Sequence, residues 1–238
     1  MKILAIDCSA GPASCAVTEG DRLLGQFFID VRLTHSQTLL PMVEALLRSM
    51  LLKISDIAAF AVSSGPGSFT GIRIGVGAVK GMAEPGRQPC AGVSTLEAIA
   101  RPHKEEGLLC AVMDARCSQV YNALFSTGAC FARLCDDRAV TIARLGEELV
   151  RLHNTDPDRP VLLAGDGARL VYDTLQLDFL QLAAPPNHCQ TAYGVALAAL
   201  QQLENGGGIP AAELMPVYLR LPQAERELKK RRENECNG

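Results

Sequence analysis

Lys2-Ile3-Leu4-Ala5-Ile6-Asp7, Ala13-Ser14-Cys15-Ala16-Val17-Thr18 and Leu23-Leu24-Gly25-Gln26-Phe27-Phe28-Ile29 are three short apolar runs, parted by Ser9-Ala10-Gly11-Pro12 and by Glu19-Gly20-Asp21. Runs of this length bounded by Gly, Pro and Asp read as three antiparallel strands. A helical pattern follows from Ser36 to about Leu51, where Leu39, Leu40, Val43, Leu46, Leu47 and Met50 recur at three- and four-residue spacing. Thr34 or Ser36 can cap it, and Pro41 falls near its first turns, where proline is tolerated. Beyond it the pattern predicts a buried strand at Ile57 to Val62, a loop from Ser63 to Phe69, and a second helix from about Thr70 to Ala83. A strand at Cys90 to Val93 and a short helix at Thr95 to Ala100 complete this half.

The second half repeats the plan. Leu109 to Met113, Gln119 to Phe125 and Ala129 to Leu134 read as strands, Ile142 to His153 as a helix, and Val161 to Ala164 as a strand ending in Gly165-Asp166-Gly167. Asp7 and Asp114 each close the first strand of their half, and Gly-x-Gly follows the fourth strand in both, as Gly65-Pro66-Gly67 and Gly165-Asp166-Gly167. An Ala- and Leu-rich helix at Thr191 to Leu203 ends at Asn205-Gly206-Gly207-Gly208. The charged, turn-rich stretch from Arg101 to Gly107 places a boundary between domains 1–103 and 104–221, with a charged tail at 222–238. An α/β chain of two duplicated βββαβα halves resembles the actin, Hsp70 and sugar-kinase superfamily, in which ATP sits between the halves. Such a scaffold does not fix a function.

Composition narrows the field. With 238 residues, 48% hydrophobic and 21% charged, the bulk of the chain is expected to fold. A net charge of −3 offers no general surface for nucleic acid, and the 5% aromatic content without tryptophan lowers the case for base stacking. No apolar run approaches the ~20 residues that cross a bilayer, and Met1 leads directly into the first strand, so the expectation is an unexported, cytoplasmic protein. Nine scattered cysteines include no C-x-x-C pair, which fits reduced thiols better than zinc or redox chemistry.

The chemically suggestive stretch runs from Gly65 to Gly81. A glycine loop between a strand and a helix can aim backbone N–H groups at an anion, and Asp7, Ser9, Ser64, Gly65, Gly67, Ser68, Thr70 and Asp114 outline a polar cleft around it. The loop lacks the Gly-Lys-Ser/Thr ending of a Walker A motif, and the third glycine of a dinucleotide fingerprint falls on Thr70. A tight structural turn and an anion loop stay equally open. Gly71 and Gly75 are four apart in the helix, as are Gly77 and Gly81, although each costs about 1 kcal/mol against alanine. Close packing must offset that cost, either on the protein's own sheet or on a partner helix. Arg73 and Lys80 share a face, as solvated ends or as contacts to an acidic partner. His35 opens the other helix without a second histidine nearby and reads as a capping or interface residue. The hydroxyls lack a Ser-His-Asp order or a G-x-S-x-G elbow, so no catalytic residue is assigned. Lys229-Lys230-Arg231-Arg232 is flanked by glutamates and reads as a solvated helix.

Five segments together carry a family resemblance: Ile3 to Ser9, His35-Ser36-Gln37 with Leu40-Pro41, the Gly65 to Lys80 run, Asp114-Ala115-Arg116, and Pro216-Val217-Tyr218-Leu219-Arg220. They resemble the bacterial TsaB (YeaZ) family, the non-catalytic partner subunit in threonylcarbamoylation of tRNA adenosine 37. Cys8 stands where threonine is expected. The resemblance implies a pseudo-enzyme that binds a paralogous threonylcarbamoyl transferase, with an ATPase subunit joining, tRNA met only indirectly, and a homodimer when the transferase is absent. It implies no resident cofactor or metal and leaves open a weak ATP or ADP site at the complex interface. The partner-binding residues it implies are His35, Leu39, Leu40, Val43 and Leu47 on one helix and Gly71, Ile72, Arg73, Gly75, Val76, Ala78 and Val79 on the other. The transferase carries two metal-binding histidines where this chain has Thr95 and Ile99. The alternatives are an ATP-dependent phosphotransferase or ATPase of the same fold and, with less support, an M22-like metallopeptidase.

Overall fold

A computed structural model describes residues 1–31, 33–185 and 187–220. The first half contains β1 (Lys2–Asp7), β2 (Ala13–Glu19), β3 (Arg22–Ile29), α1 (His35–Ser49), β4 (Ala59–Gly65), α2 (Phe69–Ala83), β5 (Cys90–Ser94) and α3 (Thr95–Ala100). The second contains β6 (Gly107–Asp114), β7 (Gln119–Thr127), β8 (Ala132–Arg133), β9 (Arg138–Thr141), α4 (Ile142–Thr155), β10 (Val161–Ala164), α5 (Ala168–Leu175), β11 (Leu180–Leu182) and α6 (Ala192–Glu204). The first sheet runs β3-β2-β1-β4-β5 and the second β11-β10-β6-β7-β8, with β9 also pairing β7. Within each sheet the first strand lies antiparallel to the second and parallel to the fourth. The duplication is therefore structural, and the fold is that of the actin, Hsp70 and sugar-kinase superfamily.

Each central strand is buried on both faces, as its near-continuous apolar sequence requires. Leu4 and Ile6 of β1 pack with Phe60 and Val62 toward α1 and α2. The opposite face of that sheet is lined by Ala5, Ala16, Ala59, Ala61 and Ala91, and α6 lies on it. Small side chains there let a helix approach closely, and a β-carbon on Gly194 of α6 would fall on the Ala98 carbonyl oxygen of α3. The helices are exchanged between halves. Leu96 and Ile99 of α3 pack under the second sheet with Leu109 and Ala111, while α6 packs under the first.

That exchange corrects the boundary expected at 103/104. The residues from Ala192 onward return to the first sheet: Ile209 bridges Cys90 at its edge, and Val217 donates its N–H to the Ser64 carbonyl at 2.7 Å. A cut in the sequence misses the division because each half covers one face with a helix from the other. Smaller differences are local. The fourth strand starts at Ala59 rather than Ile57, after a 3₁₀ turn at Ile54–Asp56 closed by the Lys53 N–H bond to Asp56 at 2.7 Å. The strand expected at Ala129 to Leu134 is reduced to the two residues of β8, and β9, a strand not expected from the sequence, follows it after Cys135-Asp136-Asp137, where Asp137 pairs with Arg133 at 2.6 Å. The charged tail expected at 222–238 lies outside the described residues.

Gly194→Ala should destabilise the protein by about 1–3 kcal/mol, the range for overpacking against fixed backbone. Urea unfolding measures it, and an unchanged midpoint would mean that α3 and α6 do not meet as described.

Candidate functional site

Two places in the fold bear on function: the cleft between the halves and the outer face of α1 and α2. Asp7, at the end of β1 and about 1% exposed, lies beneath the floor of the cleft and does not line it, although it was expected to. Its carboxylate accepts the Ser9 N–H at 3.1 Å and the Ser9 hydroxyl at 3.0 Å on Oδ1, and the Ser63 hydroxyl on Oδ2. Burial pushes the Asp7 carboxyl above the usual carboxylate range, against the lowering effect of these bonds and of His35. Asp7 therefore holds the β1–β2 turn in place, and its lone pairs are spent on protein donors.

Above the floor lies a cavity of about 540 Å³ between the glycine loop and the second half. Ser9, Gly67, Ser68 and Thr70 line it from one side and Asp114 and Asp166 from the other, joined by Arg116, Tyr121 and Arg220. Ser64 and Gly65, expected in the cleft, face elsewhere. The Ser64 hydroxyl donates to the Val93 carbonyl at 3.1 Å, and a β-carbon on Gly65 would fall on the Val217 carbonyl oxygen. The loop reads as a structural turn on this geometry. The Ser68 N–H donates to the Ser9 carbonyl at 2.7 Å, the Ser68 side chain caps α2 by accepting the Gly71 N–H at 3.3 Å, and Gly67 adopts φ +152° hard against Ser9. Asp114 caps its own turn, accepting the Arg116 N–H at 2.7 Å.

Arg116, Tyr121 and Arg220 were not among the expected cleft residues, and Asp166 was expected there only under the nucleotide-binding alternative. Asp166 had a signal in the duplication, since it is the middle residue of the second Gly-x-Gly. It is exposed into the cleft, yet the surrounding walls and then the charges of Asp114 and Asp7 push its pKa up to about 7. The segment from Leu214 to Arg220 closes one side of the cavity. Tyr218 stacks on Phe69 with centroids 4.7 Å apart, and Arg220 reaches the Ala115 carbonyl at 2.8 Å in the other half.

The helix face needs correcting. Leu39, Val43 and Leu47 of α1 and Gly71, Ile72, Gly75, Val76 and Val79 of α2 are buried in the protein's own core. A β-carbon on Gly71 would fall on the Cys8 carbonyl oxygen, and one on Gly75 would sit 3.2 Å from Val62. These glycines serve packing on the sheet. Of the residues expected to bind a partner, Leu40 and Arg73 are exposed, while His35 and Ala78 are partly buried. Arg73 is engaged by the chain itself: its guanidinium lies 3.7 Å from the Phe69 ring centroid, and its Nε donates to the Tyr218 hydroxyl at 2.8 Å. Lys80 donates to the Ala212 carbonyl at 3.0 Å. Gly77 and Gly81 differ from the buried pair, because among the described residues nothing lies within 4 Å of a β-carbon built on either.

Thr95 and Ile99, where the resemblance places the transferase's histidines, are both buried in α3, at 0% and 1% exposure. Ile99 supplies no ligand atom, and its Cδ1 packs against Gly165. Among the described residues, no group of three or more His, Cys, Asp or Glu side chains is placed to hold a metal ion. Among the described residues, no helix is long and apolar enough to cross a membrane.

Comparison with known proteins then decides the family. The sequence model of the family described as "TsaD: tRNA N6-adenosine threonylcarbamoyltransferase" matches residues 30–176. The Bacillus subtilis tRNA threonylcarbamoyladenosine biosynthesis protein TsaB is 32% identical over 94% of this chain and 96% of its own length. The chain belongs to the TsaB family. The Escherichia coli TsaB is 39% identical over 51% of this chain and 53% of its own. The structure of YeaZ from Pseudomonas aeruginosa superposes with a TM-score of 0.74 at 25% identity, covering 92% of this chain and 99% of YeaZ. The TsaB relatives are named for biosynthesis of the modified nucleoside.

Two outcomes follow for this region. Gly71→Ala should destabilise by about 1–3 kcal/mol through its clash with Cys8, whereas Gly77→Ala should stabilise by about 1 kcal/mol through helix propensity; urea unfolding of both separates them. Replacing Asp166 by Asn removes a carboxylate whose raised pKa costs stability wherever the folded protein must ionise it. The gain from Asp166→Asn should grow as pH rises from about 4 to about 7 and level off above it. Thermal melts across that range test this, and a gain independent of pH would sink it.

Proposed function

We propose that this protein acts in tRNA threonylcarbamoyladenosine biosynthesis in the cytoplasm as a non-catalytic partner subunit. It docks the outer faces of α1 and α2 on the paralogous threonylcarbamoyl transferase, and a second copy takes that place when the transferase is absent. An ATPase subunit of the pathway joins the assembly, and tRNA is contacted through the transferase. The observation that carries this reading is the pair Gly77 and Gly81 on the open face of α2. Each costs about 1 kcal/mol of helix stability, and no contact among the described residues offsets either. A facing helix that packs against bare backbone would offset it. Leu40, 53% exposed on α1, supplies an apolar side chain on the outside of the neighbouring helix.

The cleft supports the non-catalytic part. Asp7 is saturated by Ser9 and Ser63, and Thr95 and Ile99 offer no imidazole for a metal. The contribution to the reaction is then conformational, a shift of the transferase toward its competent state. The cavity between the halves favours one competing reading, ATP-dependent phosphotransfer, and calorimetric titration of the isolated chain with ATP and Mg²⁺ discriminates. Micromolar affinity together with phosphate transfer would bring that reading forward.

The direct test mixes the chain with the transferase of the same organism and measures mass by light scattering. A one-to-one complex is expected, weakened by about tenfold or more in Leu40→Asp and Gly77→Leu, as truncating a central contact does. Leu40→Asp should melt near the parent and Gly77→Leu at or above it, since leucine has a higher helix propensity than glycine. Unaltered binding by both variants, or no complex with the parent chain, would overturn the proposal.

A further inference from the structure

Three consecutive carbonyls of the β1–β2 turn are each met by the first turn of an outer helix. The Cys8 carbonyl is covered by Gly71 of α2, the Ser9 carbonyl accepts the Ser68 N–H at 2.7 Å, and the Ala10 carbonyl accepts the His35 Nε2–H at 2.9 Å. The same turn faces the cleft: Ser9, Ala10 and Gly11 line the cavity, and Ser9 is fixed to Asp7 through its N–H and hydroxyl. His35 is the first residue of α1 and is partly buried, with its Cδ2 3.2 Å from where a β-carbon of Gly71 would stand. Of the three contacts, this is the one made by a side chain, and α1 meets the turn through it.

We propose that His35 is a positioning residue that ties α1 to the cleft turn, so that the placement of the α1 end of the docking face is set by the turn Ser9–Gly11. This rests on the reading of α1 and α2 as the docking face. Two of the three carbonyl contacts belong to α2 and come from backbone that the fold fixes regardless. α1 has no side-chain cap: Thr34 accepts the Gln37 N–H at 2.9 Å through its carbonyl, but its hydroxyl makes no bond to the helix. The His35 bond is what registers α1 against the cleft. Any ligand or partner group that moves the Ala10 carbonyl would then move the start of α1 with it, and binding at the face would stiffen the turn.

The test compares His35→Ala with His35→Gln, whose amide retains a donor at a similar reach. Hydrogen exchange on the isolated chain should show faster exchange in His35→Ala at Ser9, whose N–H bonds to Asp7, and at Gln37 in the first turn of α1, whose N–H bonds to the Thr34 carbonyl. Protection in β4 and the body of α2 should be unchanged, and His35→Gln should restore the parent pattern. Affinity for the transferase should fall by about three- to tenfold in His35→Ala, the range of one net hydrogen bond, and return to within about twofold in His35→Gln. If the parent chain binds no transferase, the docking reading fails, while the exchange data still decide the role of His35. Parent-like exchange in His35→Ala, or loss in both variants alike, would overturn the inference, the second outcome assigning His35 to packing. A variant unfolded throughout would lose protection in β4 as well and would also count against it.

Discussion

The Cys8 carbonyl occupies the space that any side chain at position 71 would need, so α2 reaches the first sheet only because residue 71 is glycine. From that contact the arrangement of the molecule follows. The strand end at Asp7, the turn after it, the loop at Gly67 and the start of α2 are drawn into one knot, in which backbone oxygens are covered by glycine or bonded to an N–H. A buried carbonyl left without a partner costs about 1–3 kcal/mol, so each element constrains the next. The second half repeats the device, since a β-carbon on Gly165 would fall on the Val112 carbonyl and the Gly167 N–H bonds to that same oxygen at 3.2 Å. Two copies of one knot face each other across the cleft.

Much of this was readable before any coordinates. Strand β1 and helix α3 fall where periodicity placed them, because a strand buried on both faces and a short helix capped by Ser94 leave plain marks in sequence. Strand β9 left a fainter one. Its Arg138-Ala139-Val140-Thr141 carries a single buried apolar residue, too little for a pattern of apolar residues to mark. The exchange of α3 and α6 between halves was not readable at all. Alanine-rich α6 shows that something packs closely around it, but which sheet it covers depends on chain path.

The site divides along the same line. Ser9, Gly67, Ser68, Thr70 and Asp114 line the cleft where strand ends and turns put them, since position at the end of an element is a local property, while Asp7 is buried beneath it. Ser64 was misjudged because β4 runs on to Gly65, and in an extended strand a shift of one residue turns a side chain to the other face. Arg220 entered the cleft from 105 residues beyond its partner Ala115, a distance over which no spacing rule operates.

The glycines of α2 carry the argument furthest. All four carry the same helix penalty, and sequence alone cannot tell which contact offsets each of them. The structure sorts them by surroundings: Gly71 and Gly75 face backbone and Val62 inside the protein, while Gly77 and Gly81 meet nothing among the described residues. A fold under no other demand would gain about 1 kcal/mol from alanine at each such position. Arg73 and Lys80, seven apart on one side of α2, are held by Tyr218 and Ala212 of the returning C-terminal segment. Their charges are thereby anchored to the chain, and Gly77 and Gly81 beside them present bare helix backbone. Such a surface admits an opposing helix at short range, which makes the open glycines better evidence for a partner than the buried pair that first drew attention to this helix.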